Sequence, residues 1–154
     1  MSHAANVDYE TFASTAPGIE AGLLALGKAV DASGLEKQLT ELVKLRVSQI
    51  NGCAFCVQHH LNIARKIGVA AAKLDLLAAW RDAGLFSDRE KAALEWAELL
   101  TALPSASPPE DAFGRLRLHV SEAEAIFLTA AIATINAWNR LGVGLRFAPV
   151  FPGS

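Results

Sequence analysis

Between Glu124 and Arg140 the chain runs for 15 residues without a charge. Thr129, Thr134 and Asn136 lie within this run, which is shorter than the roughly 20 apolar residues a membrane span needs. Read as a helix from Ala123 to Leu141, it carries apolar or small residues on nearly every side, among them Ile126, Phe127, Leu128, Ile132, Ile135 and Trp138. A helix that is apolar all round must be covered all round. The rest of the chain must therefore surround it with further helices. At 154 residues, 1–154 is expected to be a single domain. With 52% apolar and only 19% charged residues, the neighbouring helices also have apolar faces to spare. An obligate homo-oligomer is expected, with an interface of about 2,000 Å² or more.

The punctuation is that of consecutive helices. Asp8 can cap a first helix from about Tyr9, and Pro17 suits the first position of a second, which stops at Ser33-Gly34. A third helix runs from near Leu35 to Asn51-Gly52. A fourth holds Cys53 and Cys56 and ends near Ile67, before Gly68. A fifth is expected over about 70–83. Ser87 with Glu90 and Ser121 with Glu124 read as capping boxes that open a helix to about Leu103 and the long apolar helix to about Leu141. A short helix from about Glu110 to His119 lies between them, and the last eight residues read as irregular. No window alternates with period two. The predicted class is all-α, with about seven or eight helices.

Charge and composition exclude several functions. Lys plus Arg is 14 and Asp plus Glu 16, a net charge of −2, which disfavours nucleic acid and anionic membrane surfaces as partners. A mean hydropathy of +0.27 excludes a disordered chain. The first ten residues have neither a basic nor an apolar signal region, so a reducing, cytoplasmic setting is expected. There a pair of cysteines is reactive or metal-binding more often than structural.

The chemistry-bearing segment is residues 41–60, from Glu41 to His60. At about 100° per residue, Cys53, Cys56 and His60 share an arc of about 60°. Asn51-Gly52 closes the preceding helix, so both thiols lie at the start of the next. The helix N-terminus and the C-x-x-C spacing both lower a thiol pKa, and an imidazole one turn on can move a proton. Four-ligand zinc has no second C-x-x-C or H-x-x-x-H to draw on, so no metal is expected. A low-pKa thiolate, a proton donor and a second thiol suit peroxide reduction and disulfide exchange equally well. By thioredoxin-like logic the nucleophile is the first cysteine, nearer the helix end. Glu41, on spacing alone, is one solvated helix-face carboxylate among many, and its replacement by Gln is expected to leave stability nearly unchanged. Asn136, Asn139 and Arg140 stand out beside the apolar run, either at an interface or hydrogen-bonded toward the site.

The pattern E-x11-C-x2-C-x3-H, filled by Glu41, Cys53, Cys56 and His60, resembles the alkyl hydroperoxidase D branch of the carboxymuconolactone decarboxylase-like superfamily. The segments E-L-V-K-L-R-V-S-Q-I-N-G-C, A-W-R-D-A-G-L-F-S-D-R-E-K-A-A-L and I-N-A-W-N-R-L-G-V-G extend the resemblance over about 35–147. It implies an all-α thiol peroxidase of antioxidant defence, trimeric or hexameric, that needs no cofactor. Cys56 would attack the peroxide, an organic hydroperoxide or hydrogen peroxide. Cys53 would resolve the sulfenic acid, and Glu41 and His60 would relay protons. The reductant would be a lipoyl-bearing or thioredoxin-like dithiol protein. The alternative is a disulfide oxidoreductase or a redox- or metal-sensing protein that uses the dithiol without peroxidase turnover. Two departures stand out: Phe55 occupies a position where classical members carry a His, and the chain is shorter than theirs.

Overall fold

The structure, a computed structural model, describes residues 4–153. Among them are eight α-helices, a single 3-10 turn and no strand. They are α1 (Tyr9–Thr15), α2 (Pro17–Ala32), α3 (Lys37–Asn51), α4 (Ala54–Lys66), α5 (Ala71–Asp75), α6 (Asp88–Thr101), α7 (Ala112–Arg117) and α8 (Glu122–Leu145). None is long and apolar enough to cross a membrane. The all-α class holds.

The caps explain the boundaries. Asp8 accepts from the Thr11 N–H at 2.7 Å. Ser87 and Ser121 each form the full capping box, with Glu90 and Glu124 reaching back to the serine N–H. Pro17 is the first residue of α2.

Three expectations need correction. Cys53 lies outside α4: it is the N-cap, in extended conformation, and its Sγ accepts the Cys56 N–H at 3.2 Å. The segment expected as one helix over 70–83 is a short α5 followed by a 3-10 turn, Leu77–Ala79. Its inward residues are Leu74, Leu77 and Trp80, and a spacing of three suits the tighter 3-10 geometry. The third correction is to α8, which continues four residues beyond Leu141 before Arg146 ends it in the left-handed region. One chain also leaves α8 partly uncovered, since Ile126 and Val143 are exposed.

α3 is the central element. Leu39, Leu42, Val43, Leu45 and Val47 are buried against α4, α6 and α8. From α8, Ala125, Leu128, Ile132 and Ile135 join the same core. One polar seam crosses it. The Asn51 Nδ2 donates to Asn136 Oδ1 and Asn139 Oδ1, both at 2.9 Å, and Asn139 Nδ2 donates to Ser48 Oγ at 3.0 Å. The asparagines therefore point at the last turn of α3, immediately before Cys53.

Removing Asn139 takes one partner from the buried Ser48 hydroxyl and one from the half-buried Asn51 amide, at a typical cost of about 1–3 kcal/mol. Asn139→Ala is expected to lower stability by about that amount, measured by urea denaturation; a loss within a few tenths would mean that the seam is solvated.

Candidate functional site

The α3–α4 connection brings the four motif residues together. α3 ends at Gly52, which adopts φ 67°, ψ 30°, a left-handed conformation that glycine takes without a Cβ penalty. The reversal lays α4 back along α3. Glu41, about three turns before the reversal, then faces His60 on α4, and Glu41 Oε2 lies 2.6 Å from His60 Nδ1. An ionised carboxylate only accepts, so Nδ1 carries the proton in this bond.

Glu41 is no surface carboxylate: it is 0% exposed. Its other oxygen meets Lys37 Nζ at 3.2 Å and Lys44 Nζ at 3.3 Å. Burial pushes its pKa up, but the His60 hydrogen bond and charge, followed by Lys44 and Lys37, outweigh it and hold the carboxyl down at about 2. Burial, with the charge of His60 adding to it, pushes the neighbouring His59 down.

Cys53 and Cys56 form a disulfide, and both are nearly inaccessible, at 1% and 3% exposed. Phe55, between them in sequence, joins a cluster with Tyr9, Phe12, Trp138 and Phe147, with Tyr9 stacked 5.6 Å from Phe55 and Phe147 set edge-on to Phe55 at 5.3 Å. Phe55, the departure from the classical pattern, thus belongs to an aromatic cluster. The Tyr9 hydroxyl donates to Glu20 Oε1 at 2.6 Å; burial and that carboxylate push its pKa up to about 12.

Beneath α2 a cavity of about 710 Å³ opens beside this cluster. Leu23, Val30, Ile135 and Trp138 contribute apolar wall, and Glu41, Cys56, His59 and His60 are on its lining while Cys53 is not. Among the described residues, no group of three or more His, Cys, Asp or Glu side chains could hold a metal ion.

Sequence reasoning missed one neighbour of the sulfurs. A Cβ built on Gly142 would lie 2.6 Å from Cys53 Sγ and 3.2 Å from Cys56 Sγ. A glycine inside a long apolar helix carries no local signal of such an approach.

The profile of the carboxymuconolactone decarboxylase family matches residues 17–99. The chain belongs to that family, in its alkyl hydroperoxidase D-like branch. It is 37% identical over 123 residues to the uncharacterized protein YdfG of Bacillus subtilis, covering 80% of this chain and 84% of YdfG. Over 106 residues it is 36% identical to the uncharacterized protein YnjA of Escherichia coli, covering 68% and 57%. A solved structure from Agrobacterium tumefaciens, a protein of unknown function provisionally assigned to antioxidant defence as AhpD, superposes with a TM-score of 0.89 at 36% identity, covering 96% of this chain and 99% of that one. The debrominase Bmp8 shares the fold, with a TM-score of 0.80 at 24% identity over 89% of this chain and 74% of its own. The same fold thus occurs in a protein assigned to antioxidant defence and in a debrominase.

The buried carboxylate has a thermodynamic consequence. Its folded pKa lies below the ordinary 4.5, so ionised Glu41 stabilises the fold above about pH 4.5, and that contribution is lost as pH falls toward 2. Contrary to the surface reading, Glu41→Gln is expected to lower stability at pH 7 and to flatten the acid limb between pH 4.5 and 2. Urea titrations at several pH values test this; parallel limbs in the two proteins would contradict the burial.

Proposed function

We propose that this protein is a thiol-dependent peroxidase that reduces organic hydroperoxides with the Cys53–Cys56 dithiol. The observation that carries the reading is that Cys56, with the Glu41–His60 pair, lines an apolar cavity from which Cys53 is excluded. At about 710 Å³, the cavity has the size of sites that take drug-sized ligands. That favours a bulky organic hydroperoxide over hydrogen peroxide.

In the proposed cycle the Cys56 thiolate attacks the terminal oxygen of the hydroperoxide. An S–O bond forms, the O–O bond breaks, and the alkoxide takes a proton and leaves as the alcohol. Glu41 and His60 are assigned the proton transfers. Cys53 then attacks the Cys56 sulfenic acid; an S–S bond forms and water leaves. A dithiol protein, lipoyl-bearing or thioredoxin-like, returns two electrons and two protons by exchange at Cys56. The assignment of Cys56 as nucleophile follows the cavity and the family pattern rather than thioredoxin-like logic. Antioxidant defence in the cytoplasm is the matching role.

Cys56→Ser is expected to abolish hydroperoxide consumption. Cys53→Ser should react once and leave a sulfenic acid at Cys56 for a dimedone-type probe, and Glu41→Gln should lose about 10²-fold in rate. A label at Cys53 in the Cys56→Ser protein would reverse the roles, and thiols inert to hydroperoxide would favour the sensing alternative.

A homo-oligomer, trimer or hexamer, is also proposed. The outer face of α2 leaves Ile19 and Leu26 exposed, and α8 leaves Ile126 and Val143, apolar side chains that a neighbouring subunit would cover. Light scattering at low micromolar concentration is expected to show the assembly; a stable monomer of 16.3 kDa would refute it.

A further inference from the structure

We propose that Gly142 is a positioning residue for the dithiol: by withholding a Cβ, it leaves the space in which the Cys53 sulfur meets Cys56, and so governs how readily the pair closes. This rests on reading Cys53 and Cys56 as a redox pair.

The argument begins with what Gly142 faces. A Cβ there would lie 2.6 Å from Cys53 Sγ, far inside the roughly 3.5–4.0 Å at which non-bonded heavy atoms rest. The obstructing atom is not the far end of a long flexible chain. In the disulfide, Cys53 Sγ is bonded to Cys56 Sγ, while the Cys53 backbone is fixed as the N-cap of α4, with its N–H donating to the Ser48 carbonyl at 3.1 Å.

Nor is α8 free to retreat. Asn139, one turn before Gly142, is bonded to Asn51 and to the Ser48 hydroxyl. The same turn of α3 therefore holds both α8 and the Cys53 backbone. After Gly142 the helix closes with Phe147 N–H donating to the Gly142 carbonyl at 3.0 Å, and the Phe147 ring lies 3.9 Å from the same added Cβ.

A methyl group at 142 would thus act on the two redox states unequally. In the disulfide the Cys53 sulfur has nowhere to go. In the dithiol it is released and can rotate about χ1 to another staggered position. The clash penalises closure, while alanine in a helix interior is itself favourable relative to glycine.

The test is a redox equilibrium with dithiothreitol and no peroxide. Protein disulfide plus reduced dithiothreitol gives protein dithiol plus oxidised dithiothreitol, two electrons and two protons passing to the protein. The fraction reduced is read by mass after alkylation of free thiols. Gly142→Ala is expected to displace this equilibrium toward the dithiol by about tenfold, or about 30 mV for a two-electron couple. Gly144→Ala is the control: it lies on the same helix with no heavy atom within 4 Å of its added Cβ, and should match the parent. A displacement under about threefold for Gly142→Ala, or one toward the disulfide, overturns the proposal. If Gly142→Ala fails to fold, the substitution is repeated in a Cys53→Ala background. Recovery there supports the proposal, since the obstructing sulfur is gone; failure there overturns it and assigns the glycine to helix packing. A protein that shows the shift but consumes no hydroperoxide refutes the peroxidase reading and leaves this one standing.

Discussion

The contact between Glu41 and His60 constrains this molecule more than any other. It places a carboxylate in a predominantly apolar core, and burying an unpaired charge there would cost several kcal/mol. Lys37 and Lys44, on α3 itself, meet one oxygen, and His60 meets the other only if α3 and α4 pack in one register. Any slippage of one helix along the other would separate the pair. The chain reversal at Gly52 and the placement of the cysteines at the head of α4 follow from that register.

The other side of the site is set by α8. Its apolar residues bind it to the core without fixing how far it is shifted along α3, because small apolar side chains tolerate sliding better than polar ones do. Asn136 and Asn139 supply the missing specificity: hydrogen bonds to Asn51 and Ser48 are made at one position only. The charge pair and the asparagine seam meet the same helix at opposite ends of one stretch, Glu41 early in α3 and Asn51 as its last residue. Between them they locate α4, α8 and the turn that carries Cys53.

Much of this was legible in the residues, and the limits were physical. Caps are local, so Asp8, Pro17, Ser87 and Ser121 announced their helices. The C-x-x-C-x3-H spacing likewise placed Cys56 and His60 on one face, as α4 does. Glu41 was harder: it stands 19 residues from His60 in sequence, and nothing local distinguishes a buried carboxylate from a solvated one. The motif suggested its importance, and only the fold shows its burial. The 3-10 turn at Leu77–Ala79 escaped because helix period and three-residue spacing coincide over one turn. Asn139 looked anomalous beside its apolar neighbours, yet which way it pointed depended on Ser48, 91 positions away. Gly142 gave no signal, since a close approach is a property of two segments and not of one.

The burial of the disulfide bears on how a two-stage reaction could run here. On the proposed chemistry, Cys56 must meet two reactants of opposite character, an oxidant and a dithiol. Cys56 is only 3% exposed and borders the cavity opening, whose wall Phe55 and Trp138 also form. The two cannot occupy that opening together. Oxidation and reduction would then alternate through a single opening, with the enzyme leaving each encounter in a distinct covalent state. Such alternation needs the intermediate to survive between encounters, and a sulfenic acid exposed to further peroxide is oxidised beyond recovery. In the proposed cycle Cys53, held at the helix N-cap next to Cys56, would remove that intermediate before a second oxidant could enter. The sealing of Cys53 away from the cavity fits the same demand, since a resolving thiol open to peroxide would compete for the substrate it is meant to follow.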